Sequence, residues 1–236
     1  SVQFKYFISY AEAELNSVDV LVCDEAHRLR ITSNSRFTPK ERRSGLRQID
    51  ELLNAAKVVV FFIDDDQIVR PNEIGSVEYL EQLSQEKSCG ISKYELEAQF
   101  RCNGSEAFVN WINNTLGVRR TANVIWDLHE EFDFKIMDSP LSLETAIREK
   151  VTQGCTGRVT AGFCWEWYDD NSAGALINDV QIGNYERPWN ARPEAKKLAQ
   201  GIPKSSLWAY DPNGINQIGC IYTAQGFEFD YVGVIF

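Results

Sequence analysis

The chain has 236 residues, of which 44% are hydrophobic, 25% charged and 12% aromatic, and it carries a net charge of −10. That length suits one large domain or two small ones, with enough apolar surface for a core. The composition excludes a disordered chain, a collagen-like chain and a coiled coil, and the acidic balance argues against a molecule built wholly as a basic nucleic-acid clamp. No apolar run approaches the roughly 18 residues of a membrane span. No charged head followed by an apolar stretch marks a secretory leader. A cytoplasmic location is expected, with no membrane partner. The first residue is Ser, so processing or a longer parent is expected. Six cysteines (Cys23, Cys89, Cys102, Cys155, Cys164 and Cys220) form no CxxC pair, and His27 and His129 are far apart in sequence. No zinc-ligand cluster is therefore expected, and the thiols read as reduced and mostly buried.

In chain order, Val18–Cys23 is a short apolar run ending at acids, the pattern of a buried parallel strand. Pro39–Ala56 has helical periodicity through Leu46, Ile49, Leu52 and Leu53, with Thr38 as a cap before Pro39. Lys57–Ile63 is a stronger strand, again ending at acids. A sub-domain break is expected near 88–95, where Ser88-Cys89-Gly90 interrupts the pattern. Glu106–Leu116 follows as a helix with Phe108, Val109, Ile112 and Leu116 on one face. Next come a strand at Phe132–Met137, a helix at Leu141–Val151 and a strand at Arg158–Phe163. Gly and Asn cluster between Asp169 and Asn190, and Pro188, Pro193, Pro203 and Pro212 follow, so that region reads as loop. Gly219–Tyr222 and Tyr231–Phe236 are the last strands. Strands alternating with helices predict an α/β fold with mainly parallel sheets.

Two strands end in carboxylates: Asp24-Glu25-Ala26-His27 after the first, and Asp64-Asp65-Asp66-Gln67 after the second. Ligands in open α/β sheets bind at the carboxyl ends of strands, where carboxylates can hold a hard cation such as Mg²⁺. An apolar strand followed by Asp-Glu is the Walker B pattern, in which the Asp holds the metal through water and the Glu polarises the attacking water. The same acids can equally cap the turn or helix that follows each strand.

Further along come Leu96-Glu97-Ala98-Gln99-Phe100-Arg101-Cys102 and Thr223-Ala224-Gln225-Gly226-Phe227-Glu228-Phe229-Asp230. With these four motifs in order, the chain resembles superfamily 1 helicases. More closely, Asp-Glu-Ala-His-Arg-Leu, the Gln-Phe-Arg-Cys segment and Gln-Gly-Phe-Glu-Phe-Asp-Tyr-Val-Gly-Val-Ile resemble the bacterial family related to the Schlafen group 3 helicase-like domain. The resemblance implies two RecA-like lobes, 1–90 and 91–236, the first incomplete, with ATP and Mg²⁺ as cofactors. It implies that Asp24 is the Mg²⁺-associated acid, Glu25 the catalytic base and Gln67 the γ-phosphate sensor linking the lobes. Arg101 would be the arginine that reaches the γ-phosphate across the lobe interface. Gly226 would permit close backbone approach, Glu228 would contact the ribose, and Thr223 and Gln225 would couple the ATP site to nucleic acid. His27 would couple the nucleotide site to the second lobe, or is a locally bonded histidine. Asp230 is equally a strand-start cap.

A P-loop needs Gly-x-x-x-x-Gly-Lys-[Ser/Thr], and no Gly-Lys pair occurs. The resemblance places that loop before Asp24 and a further motif arginine after Phe236. The segment then reads as the middle of a motor, with impaired ATP and Mg²⁺ binding and no useful hydrolysis by itself.

Residues 28–47 carry seven basic side chains against one acid, Glu41. Arg36, Arg42 and Arg43 are candidates to track phosphates of DNA or RNA; a solvated helix face paired to acids is the alternative. Trp165, Trp167 and Tyr168, beside Asp169 and Asp170, suit either base stacking or core filling. Three functions stay open: a nucleic-acid-dependent ATP hydrolase, a Mg²⁺-dependent nuclease using Asp24, Glu25 and Asp64–Asp66, and a non-catalytic docking module.

Overall fold

The computed structural model describes residues 1–34, 38–67, 72–96, 102–126, 132–168 and 173–236, without the side chains of 42 and 103. The fold is mixed α/β with parallel sheets. The chain divides into two compact units, Ser1–Ala98 with Asn113–Thr121, and Gln99–Ile112 with Ala122–Phe236.

In the first unit, β1 (Val18–Cys23) pairs in parallel with β2 (Ala56–Phe61), in the register Val22↔Val60 and Cys23↔Phe61. Strand alternation sends Leu21, Cys23, Val59 and Phe61 to the core. There they meet α1 (Gln48–Ala55), whose Ile49 and Leu52 are 1% and 0% exposed. Each such side chain stabilises by roughly 1.5–3 kcal/mol on burial. The other face carries Val20, Val22, Val58 and Val60, all exposed.

The predicted helix over Pro39–Ala56 is broken. A 3₁₀ turn spans Lys40–Arg42 with Pro39 in the cap position and no side-chain cap bond, so Thr38 is not its cap. Gly45 then takes φ 71°, a left-handed conformation that ends helical continuity. Helix α1 begins only after Arg47. The Arg47 guanidinium pairs with Asp50 at 2.7 Å and, through both terminal nitrogens, with Glu86 at 2.8 and 3.0 Å. Lys87 closes the network on Asp50 at 2.7 Å. Burial raises the Asp50 carboxyl, but these two cations outweigh it and hold the group below its ordinary value.

Glu86 and Lys87 end α2 (Val77–Lys87), which the sequence reading missed because its apolar stripe is thin and Leu83 alone is buried. Ser76 caps it, accepting from the Tyr79 N–H at 3.1 Å.

Helix α3 (Glu106–Thr115) lies as expected. The predicted strand at Phe132–Met137 is not one; no strand among the described residues pairs with it. Phe132 and Phe134 instead join Phe108, Trp111 and Trp126 in an aromatic cluster, with Phe108 and Phe132 centroids 4.0 Å apart.

The second unit has a parallel sheet in the order β6-β3-β7, made of β3 (Gly157–Ala161), β6 (Gly219–Cys220) and β7 (Tyr231–Ile235). Helix α4 (Pro140–Thr152) covers one face. It is started by a capping box in which Ser139 and Ser142 exchange bonds. The Asp230 carboxylate accepts from the Thr156 N–H and hydroxyl, both at 2.7 Å, and so ties the starts of β3 and β7. That is the strand-start role.

The region expected to be loop contains a hairpin, β4 (Val180–Ile182) and β5 (Tyr185–Arg187). Its Gly183-Asn184 turn is a hairpin signal hidden among other Gly and Asn residues. Arg187 and Arg148 both reach the Glu144 carboxylate of α4, at 2.9 and 2.6 Å, and its side chain is only 3% exposed. Burial raises this carboxyl, yet Arg187, Tyr185 and Arg148 together hold it below its ordinary value near 4.5.

Because the folded value is depressed, this stabilisation is present above the unfolded value near 4.5 and is lost as pH falls through the folded one. Glu144→Ala strands two arginines and should cost about 3 kcal/mol. Glu144→Gln should flatten the acid limb of stability. Urea unfolding followed by tryptophan fluorescence between about pH 3 and pH 7 checks both.

Candidate functional site

Hydrogen bonding continues past the ends of β1 and β2. The Phe62 N–H donates to the Cys23 carbonyl at 2.9 Å, and the Ala26 N–H donates to the Phe62 carbonyl at 2.8 Å. This ladder folds residues 24–28 back as a tight turn. Asp24 is exposed, and one of its oxygens accepts the Glu25 N–H at 3.0 Å. Glu25 takes the left-handed conformation at φ 53°, uncommon for a residue with a side chain, and starts a 3₁₀ turn over Ala26–Arg28.

Glu25 Oε2 lies 3.1 Å from His27 Nε2 and 3.5 Å from Arg28 Nε. His27 is 2% exposed, and among the described residues neither of its ring nitrogens, nor Glu25 Oε2, makes an aligned hydrogen bond. Buried polar atoms without partners are costly, and they concentrate where function demands them. Just before them, burial pushes the Cys23 thiol up to about 12.

The second acid group is folded on itself. Asp64 accepts from the Gln67 amide at 2.7 Å and the Asp66 N–H at 3.1 Å. Asp65 accepts from the Val77 N–H at 2.9 Å, at the start of α2. The capping reading therefore holds for these two carboxylates.

The chain then returns to the Asp24–Arg28 turn. Glu73 forms a bridge with Arg30, and the Ile74 N–H donates to the Leu29 carbonyl at 2.7 Å. Gly75 packs against the turn so closely that a Cβ there would lie 2.0 Å from the Ala26 carbonyl oxygen and 2.8 Å from the His27 Cα. Gly75 escaped the sequence reading, because a lone Gly announces a close approach only once the neighbouring backbone is known.

Of the other predicted residues, Arg101 and Arg36 lie outside the described residues, as do His129, Gln99 and the side chain of Arg42. Arg43 is exposed, and its Nε donates to the Thr38 carbonyl at 3.2 Å. Arg28 and Arg47 of the basic stretch sit against Glu25, Asp50 and Glu86, so part of that charge is paired within the fold.

In the second unit, Thr223 lies on a helical turn, α5 (Ile221–Ala224), which replaces the end of the predicted strand, and Gln225 caps it. Gly226 has φ 86° with open space where a Cβ would sit. Its glycine answers a left-handed backbone rather than a close approach within the chain. Glu228 is exposed.

The donor chemistry of the first turn fits Mg²⁺. Asp24 offers a second carboxylate oxygen with no bond among the described residues. Mg²⁺ is commonly held by one or two carboxylates, with waters and substrate phosphates completing the shell. Among the described residues no three His, Cys, Asp or Glu side chains gather as a metal cluster.

An acid pair at the carboxyl edge of a parallel α/β strand pair is the arrangement of nucleotide-handling proteins. The family model "Schlafen group 3, DNA/RNA helicase domain" matches residues 2–236, and the chain belongs to this helicase-like family. It is 27% identical over 240 residues to "Uncharacterized protein YPL245W" of Saccharomyces cerevisiae, an alignment covering 92% of this chain and 48% of that protein. The chain thus spans about half the length of this curated relative. No solved structure matches it. Among the described residues, no helix is long and apolar enough to cross a membrane.

Gly75→Ala should destabilise the first unit by about 1–3 kcal/mol, since backbone rather than a flexible side chain must yield; a shift in urea midpoint measures it. In the folded protein, a thiol reagent at about pH 8 should label exposed Cys89 and Cys164 and spare Cys23 and Cys220 until denaturant is added. Mass spectrometry of the labelled peptides reads this out.

Proposed function

We propose that the chain is the central part of a nucleic-acid-dependent ATP hydrolase of helicase type, with residues 1–90 and 91–236 as two RecA-like lobes, the first incomplete. The observation that carries this reading is the Asp24-Glu25 turn at the carboxyl end of a parallel strand pair, in a chain of a helicase-like family.

Asp24 would hold Mg²⁺, through water, with its second carboxylate oxygen, which has no hydrogen bond among the described residues. When bound, Mg²⁺ supplies positive charge that offsets the phosphate oxygens. Glu25 accepts the proton of the attacking water. Its left-handed backbone, and a buried oxygen with no aligned hydrogen bond among the described residues, mark a carboxylate held in place at an energetic cost, as active sites do. His27 sits directly behind that oxygen and links the nucleotide site to the second lobe.

Gln67, tethered to Asp64, reports loss of the γ-phosphate when that tether exchanges. Arg101 supplies the always-charged guanidinium that stabilises transition-state charge. Gly226 and Glu228 contact the nucleotide, the latter at the ribose. Thr223 and Gln225 couple it to nucleic acid, while Arg36, Arg42 and Arg43 contribute phosphate contacts.

The test uses the full-length protein. ATP hydrolysis should rise on adding single-stranded DNA or RNA. Glu25→Gln should lower the rate at least ~100-fold, the usual worth of a general base, with ATP binding retained. An unchanged rate in that variant sinks the proposal.

A further inference from the structure

After β3 the sequence Phe163-Cys164-Trp165-Glu166-Trp167-Tyr168 lines an open concavity of about 420 Å³. The segment is seated firmly. Trp165 Nε1–H donates to the Gln181 carbonyl at 3.1 Å, the Tyr168 N–H to Asp179 Oδ2 at 3.2 Å, and Trp189 Nε1–H to the Glu166 carbonyl at 3.2 Å. The rings of Phe163, Trp165 and Trp167 stand 6.0–6.2 Å from that of buried Trp189. The core therefore fixes the wall, while Phe163 and Tyr168 remain 53% and 58% exposed. A site assembled before its ligand arrives loses less freedom on binding.

Two kinds of ligand suit exposed aromatic rings, an unpaired base and an organic cation. The charges separate them. Glu166 lines the concavity, and its carboxylate lies close enough to the Tyr168 hydroxyl to raise that group above its ordinary value. Asp179 lies beside Tyr168, and its buried Oδ1 has no hydrogen-bond partner among the described residues. Arg192 acts on Asp179, and its guanidinium carbon is 5.9 Å from the Trp167 ring centroid. The Glu166 carboxylate is therefore the charge that repels a phosphate backbone and attracts an added cation. The chain itself thus already lays a guanidinium on this aromatic set.

We propose that the concavity formed by Phe163, Trp165, Glu166, Trp167 and Tyr168 is a docking site for an arginine side chain of a basic peptide segment in a partner protein. The guanidinium lies against the aromatic rings and its N–H groups face the Glu166 carboxylate. This site belongs to the second unit and does not rest on the ATP hydrolase reading.

The test titrates the full chain with acetylated, amidated Gly-Arg-Gly-Arg-Gly at constant ionic strength, about 0.15 M to suppress diffuse attraction. Tryptophan fluorescence and the indole N–H resonances follow binding. Saturable binding is expected, weakened at least fivefold in Tyr168→Ala and in Glu166→Gln, and retained in Tyr168→Phe. Glu81→Gln, which removes an exposed acid from the other unit, should leave it unchanged. All three positions are surface ones, and far-UV circular dichroism checks the fold of each variant. Absence of saturable binding overturns the proposal. So does an equal loss in Glu81→Gln, which would mean net charge alone. Tighter, Tyr168-dependent binding of a twelve-residue oligothymidylate would also overturn it, in favour of base stacking.

Discussion

The carboxyl edge of the β1–β2 pair depends on a short hydrogen-bond ladder that outlasts the strands themselves. Phe62 donates to Cys23 and Ala26 donates to Phe62. Only in parallel register do both chains leave the sheet at the same end, so Asp24 and Asp64 emerge together there. The bond to Ala26 then turns the first chain back sharply. That turn forces Glu25 into left-handed backbone and buries His27 behind it. Gly75 completes the support by placing bare backbone where any side chain would collide. Position and strain at this turn have one origin, a backbone held on two sides with no room to relax.

Much of the charge serves connection rather than chemistry. Arg47 and Lys87 hold α1 to α2 through Asp50 and Glu86. In the other unit Glu144 joins α4 to the hairpin through two arginines, and Asp230 joins β3 to β7 through Thr156. Arg158 is buried and donates to the carbonyls of Gly157, Trp208 and Asp211. A guanidinium has donors enough to satisfy several carbonyls at once, which makes it a usable cross-link in a crowded loop region.

Legibility in the sequence followed the length and purity of the pattern. The runs Val18–Cys23 and Tyr231–Ile235 read correctly because consecutive β-branched residues have few other uses. Helix α4 was legible from its period over Leu141–Val151, without its Ser139-Pro140 start. Helix α2 was not, since a helix touching its core mainly through Leu83 leaves a faint stripe. Phe132–Met137 looked like a strand by residue type, but a strand needs a partner, and its rings found an aromatic cluster first. Of the site, Asp24, Glu25 and Asp64 were visible as acids after apolar runs. Gly75 and its close approach to Ala26 and His27 were not, because that contact arises only where two segments far apart in sequence meet in space.

By itself the sequence determined the class of fold, the order of the main strands, the two acid-ended edges and the family resemblance, all of which rest on local periodicity and short motifs. Tertiary structure alone decided which acids stay open and which are used as caps. Among the described residues Asp24 keeps an oxygen without a hydrogen bond, whereas Asp64 and Asp65 use theirs on Gln67, Asp66 and Val77. It also decided that Trp165 and Trp167 pack around Trp189 while Tyr168 faces solvent beside Glu166. A carboxylate or a ring has the same local signature in either role. What it does depends on the donors and the solvent it meets, and those are supplied by chain far away in sequence.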